Sequence, residues 1–98
     1  MNMMMHNPPH PGEILREYIN GLNKTVTEVA AALESSRKHL SLILNGHTGI
    51  STKMARKLSV AFSTTPEFWL NLQKNYELWQ ARQKVDVSKI CYFLDIGS

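Results

Sequence analysis

The sequence predicts an all-α domain of five short helices. Three observations carry that prediction. Apolar residues recur at three- and four-residue spacing in five successive blocks. Most blocks are entered through Ser, Thr or Pro and left through Gly, Asn or a Ser-Thr pair, the residues that start and stop helices. The 98 residues are 43% hydrophobic and 19% charged, which suits one globular domain with one modest core. No internal repeat and no long linker divides the chain. Residues 11–84 are therefore expected to form the domain, residues 1–10 a flexible arm, and residues 85–98 an extension that meets a second copy or another partner.

Residues 1–10, MNMMMHNPPH, show no periodicity. His6 and His10 are two nominal metal ligands with nothing to join them, so no metal is expected. Pro11-Gly12-Glu13 opens the first helix, Ile14, Leu15, Tyr18 and Ile19 repeat along it, and Asn20-Gly21 stops it, with Leu22 packing beyond. Thr25-Val26-Thr27-Glu28 reads as a capping box, in which Thr and Glu each satisfy the other's backbone amide. The helix behind it buries Val26, Val29, Ala30 and Leu33 and ends near Glu34. Ser35-Ser36 supplies a turn and the next cap. The third helix runs from Arg37 to about Leu44, apolar at Leu40, Ile43 and Leu44, and Asn45-Gly46 stops it.

Ser51 caps a fourth helix, Thr52 to Phe62, whose inner face is Met54, Ala55, Leu58, Ala61 and Phe62. After Ser63-Thr64 a fifth begins with Thr65 as cap, Pro66 in the first position and Glu67 in the first turn. It reaches about Lys84, with Phe68, Trp69, Leu72, Tyr76 and Trp79 along one stripe. The last residues are ambiguous: Val85-Asp86-Val87 alternates like a strand, and Ser88 could cap a helical turn through Ile90–Leu94.

The net charge of +3 says less than its distribution. From Ser35 to Pro66 there is no Asp or Glu, while Arg37, Lys38, Lys53, Arg56 and Lys57 all fall there, with His39 and His47. The flanks are left slightly negative. A segregated positive field suits a polyanion, and the competing reading is chance clustering on a solvated face.

Two short helices and a tight turn at residues 25–45 make a helix-turn-helix unit. Ala30 is small enough for the two helices to cross closely. Ser36 caps the second helix at the end that would enter a major groove, where first-turn residues make most base contacts. Arg37 and Lys38 are placed for guanine or phosphate, and His39 and Ser41 for more adaptable contacts. Thr25, Ser36, Asn45, His47 and Lys53 complete the expected DNA-binding set. The alternative is an ordinary helical hairpin with a polar outer face.

The segment Thr25–Gly46, TVTEVAAALESSRKHLSLILNG, resembles the helix-turn-helix of Cro/cI-type (XRE) repressors through Thr25, Glu28, Val29, Ala30, Leu33 and Leu44-Asn45-Gly46. HPGEIL at 10–15, STKMARKL at 51–58 and TPEFWLNLQ at 65–73 are similar to HigA-type antitoxins. The resemblance covers roughly residues 10–80. It departs at Glu34, where the family often has Gly, and at Leu42, where Arg is common. It implies a five-helix, lambda-repressor-like domain in a homodimeric repressor that binds operator DNA at its own promoter. It also implies a cognate toxin partner, for HigA a RelE-like mRNA interferase. A solitary XRE-type regulator without a toxin is the other reading.

No enzyme is expected. Cys91 lies in an apolar run and reads as core or interface, His39 and His47 have no carboxylate near in sequence, and no phosphate loop or nucleophile elbow is present. No cofactor or small-molecule substrate is expected either. The aromatic stripe is a ligand pocket, a core or a dimer seam; the seam is taken as Trp69, Leu72, Tyr76 and Trp79 with Tyr92 and Phe93 of the tail. One cysteine permits no internal disulfide, and no apolar run is long enough to cross a bilayer, so a cytoplasmic protein with no membrane partner is expected.

Overall fold

The computed structural model describes residues 7–94. It contains five helices in the expected order: α1 (Pro11–Asn20), α2 (Val26–Ala32), α3 (Arg37–Leu44), α4 (Thr52–Phe62) and α5 (Pro66–Lys84). No strand occurs among the described residues. Every helix begins on a side-chain cap: His10, Thr25, Ser36, Ser51 and Thr65 each accept a backbone N–H from the first turn.

The core is one cluster. Leu15 and Ile19 of α1, Val29 and Ala30 of α2, Leu40, Ile43 and Leu44 of α3, and Met54, Ala55 and Leu58 of α4 are buried together with Trp69 of α5. Val26 and Phe62 pack against it only in part, and Ala61 and Leu22, expected inside, are exposed. Helix α4 lies along α5, while α1 crosses α3 so closely that a methyl group on Gly12 would collide with the Ile43 carbonyl.

Trp69 corrects the expected seam. Its side chain is 0% exposed within one chain, so it cannot face a second copy. Tyr18, Phe62 and Phe68 surround it, and its indole N–H donates to Thr64 Oγ1 at 2.7 Å. A buried indole needs such a partner, and the Ser63-Thr64 break after α4 provides it.

His10 belongs to the fold as well. The arm expected over residues 1–10 lies, for residues 1–6, outside the described residues, and His6 with it. His10 is buried; its Nδ1 accepts the Gly12 N–H at 2.9 Å, and Glu13 reaches back to the His10 N–H, a capping box with histidine in the place of Ser or Thr.

The tail after Lys84 forms neither the strand nor the Ser88-capped turn of helix. Asp86 Oδ1 accepts the Ser88 N–H at 2.9 Å, and Ile90 N–H closes a single turn onto the Val87 carbonyl at 3.0 Å. Val85, Val87, Ile90, Tyr92, Phe93 and Leu94 are all exposed, so no core contact directs this segment into helix or strand. Cys91 is exposed too, not core.

Candidate nucleic-acid interface

The start of α2 fixes one side of the unit. Thr25 Oγ1 accepts the Glu28 N–H at 3.1 Å, and a Glu28 carboxylate oxygen accepts the Thr25 N–H at 2.8 Å. The Thr25 backbone bond, its largest influence, holds the Glu28 carboxyl below its ordinary value. The end of α2 is set by two amides that turn back on the helix, Ser35 N–H to the Ala30 carbonyl and Glu34 N–H to the Ala31 carbonyl. Such a closure needs a left-handed residue between them, and Glu34 takes it with φ +53°. The turn therefore keeps the geometry that glycine would give. Lys57 Nζ, from α4, donates to the Glu34 carbonyl at 3.0 Å and ties the turn to the fourth helix.

Ser36 Oγ then accepts the His39 N–H at 3.0 Å and starts α3. Leu40, Ile43 and Leu44 point into the core, which sends Arg37, Lys38 and His39 outward, all exposed. Ser41 is half-buried, as is Leu42. A groove lined by Ser35, His39, Ser51, Lys53, Met54 and Lys57 joins the start of α3 to the start of α4, so His39 and Lys53 share one surface. Asn45 and His47, in the loop after α3, are exposed; Asn45 Oδ1 accepts from Arg16 at 3.1 Å.

The helix ends distinguish this face electrically. Helices α1, α2 and α5 carry an acid in the first turn, Glu13, Glu28 and Glu67. Helices α3 and α4 carry none. Their N-termini keep the partial positive charge of the helix dipole and add Arg37, Lys38 and Lys53 to it, an arrangement that attracts phosphate.

Of the residues expected at the seam, Leu72, Tyr76 and Trp79 are half-buried on α5, with the Tyr76 and Trp79 rings 5.9 Å apart, and Tyr92 and Phe93 are almost fully exposed. Sequence reasoning missed His10, Arg16, Gln73 and Lys57. His10 had a local signal, a polar ring just before Pro and three residues before Glu. The others act on carbonyls or amides 23 or more residues away, for which spacing gives no cue.

The helix-turn-helix family model matches residues 15–69. The chain is 51% identical over 82% of its length to virulence-associated protein A' of Dichelobacter nodosus, covering 70% of that protein. It is similar to an addiction module antidote protein of the HigA family from Coxiella burnetii, with TM-score 0.78 and 40% identity over 81% of this chain and 87% of that one. It is also similar to antitoxin GraA in complex with its operator, with TM-score 0.83 and 34% identity over 97% of this chain and 99% of that one.

Proposed function

We propose, for a chain that belongs to the helix-turn-helix family in the branch that holds the HigA-type antitoxins, that it is a sequence-specific DNA-binding antitoxin. It represses its own toxin–antitoxin promoter and neutralises a RelE-like mRNA interferase by binding it. It works as a homodimer in the cytoplasm; no described helix is long and apolar enough to cross a membrane.

The observation that carries the DNA reading is the start of α3. Arg37, Lys38 and His39 are exposed on a capped, acid-free helix end beside the equally acid-free start of α4. The first turn of α3 enters the major groove, where Arg37 and Lys38 read guanine or hold phosphate and His39 and Ser41 adapt to neighbouring bases. Thr25, Ser36, Asn45, His47 and Lys53 flank this turn and meet phosphates. Likeness to an operator-bound antitoxin over 97% of the chain supports the same mode of use. One unit makes few base contacts, so two copies on half-sites about 34–36 Å apart supply the affinity that repression needs. The exposed apolar tail and the outer face of α5 are the surface for the second copy.

A gel shift on the DNA directly upstream of the chain's own reading frame tests this, run with and without any protein that co-purifies. Retardation of that duplex over a scrambled one is the expected result, with a small basic protein co-purifying. Equal binding to both duplexes would remove the sequence-specific reading; clean specific binding with no co-purifying partner would leave a solitary regulator.

A further inference from the structure

The segment Asn45–Ile50 leaves α3 and carries two of the expected DNA contacts, Asn45 and His47. Asn45, Gly46 and His47 are exposed, and two successive amides, of His47 and Thr48, share the single Leu42 carbonyl at 2.8 and 3.3 Å. We propose that Arg16, His10 and Gln73 are positioning residues that clamp this loop from behind, so that it meets DNA already ordered. The proposal rests on the DNA-binding reading above.

The three contacts fall at successive points of the loop. At its start the Arg16 guanidinium donates to the Leu44 carbonyl at 3.4 Å and to Asn45 Oδ1 at 3.1 Å. At its middle the buried His10 ring lies under Gly46, where a Cβ would stand 4.0 Å from the ring. At its end Gln73 Oε1 accepts the Ile50 N–H at 2.8 Å. The Gln73 amide is itself held, donating to Glu77 Oε2 at 2.9 Å, which sets which of its ends faces the loop. Gly49 makes room for this approach, since a Cβ there would lie 2.5 Å from the Gln73 amide.

All three side chains come from outside the helix-turn-helix unit, from α1 or its cap and from α5. They also explain two stretches that the α3 surface leaves without a task. HPGEIL begins with His10 and runs into Arg16, and TPEFWLNLQ ends in Gln73. A loop anchored before binding gives up little further freedom on the DNA, and a contact group held by supporting bonds does not drift from its productive position.

The test uses the full chain and three variants. Gln73→Met keeps length but removes the acceptor. Gln73→Glu combined with Glu77→Gln exchanges the pair and restores an acceptor at unchanged charge. Arg16→Met removes the exposed arm of the clamp. Fluorescence anisotropy measures binding to the chain's own upstream duplex and to a scrambled duplex, and amide hydrogen exchange follows Thr48 to Ile50. Gln73→Met and Arg16→Met should each weaken the upstream duplex by about tenfold, the scale of one well-made hydrogen bond. The exchanged pair should bind within about twofold of the parent, and Ile50 exchange should quicken in Gln73→Met alone among the position-73 variants. If Gln73→Met does not fold, Arg16→Met, at an exposed site, decides. Parent-like affinity in the single variants, or an exchanged pair no better than Gln73→Met, overturns the clamp. If the parent itself fails to prefer its upstream duplex, the DNA reading falls; ordinary Ile50 exchange in Gln73→Met would separately remove the clamp.

Discussion

His10 and Tyr76 meet edge to face with ring centroids 4.8 Å apart, which joins the cap of the first helix to the middle of the last. The contact buries a titratable ring whose Nδ1 is already an acceptor, so a proton there would break the bond to the Gly12 amide. Burial, the largest influence, pushes the His10 pKa below 6.5, against the opposing pull of Glu13 and of the Thr48 backbone. The unfolded chain therefore binds the proton more readily than the folded one. The stability this adds is complete above pH 6.5 and is lost as pH falls through the lower, folded value. Chemical denaturation at a series of pH values from 7 to 5 should show the midpoint falling in the parent. His10→Asn keeps a strong cap without a titrating ring and should flatten that fall. An equal slope in both would refute it.

Glu34 sits in a left-handed conformation that costs a non-glycine residue about 1–2 kcal/mol. Glycine removes that cost but loses roughly 0.5–1 kcal/mol to its freer unfolded chain. Glu34→Gly should thus stabilise the domain by up to about 1 kcal/mol, a rise of several degrees in Tm. The Lys57 bond survives, because it uses the backbone carbonyl. Calorimetry that found Glu34→Gly no more stable than the parent would show that the side chain offsets the strain.

The five helices and nearly all of the core were legible because periodicity and caps are local. Four of the five caps, Thr25, Ser36, Ser51 and Thr65, stand where Ser and Thr chemistry places them. The exposed first turn of α3 followed from Leu40, Ile43 and Leu44 taking the inner face. Trp69 and Trp79 could not be told apart on one stripe, since which lies inside depends on Tyr18, Phe62 and Thr64, brought there by other elements. Arg16 and Gln73 were invisible for the same reason. The tail carried two incompatible local patterns and satisfies neither.

Arg37 and Lys38 should dominate DNA affinity. Each good base contact contributes about 1–3 kcal/mol, so Arg37→Ala with Lys38→Ala should weaken specific binding by more than tenfold. Both side chains are exposed, so circular dichroism should be unchanged. The dependence of affinity on salt should also become shallower if either neutralises a phosphate. Binding equal to that of the parent would move the recognition surface elsewhere.

Tyr92 and Phe93 are 87% and 99% exposed, and the proposed homodimer would cover this apolar surface. Light scattering at micromolar concentration should give a dimer for the full chain and a smaller species after truncation beyond Lys84. A monomeric full chain would exclude the dimer. A truncated chain that stays dimeric would place the seam on α5 alone, at Leu72, Tyr76 and Trp79.

The two tryptophans, sealed Trp69 and half-open Trp79, make the chain its own optical gauge. Indole emission shifts to the blue in an apolar pocket and is dimmed by collisional quenchers only where they can reach it. The spectrum of the native chain is then the sum of a protected and an accessible emitter. Covering Trp79 by a second chain would dim the accessible component's response to quencher, while unfolding would convert both to the accessible kind. Association, if the chain pairs, and denaturation would then be read apart without a label.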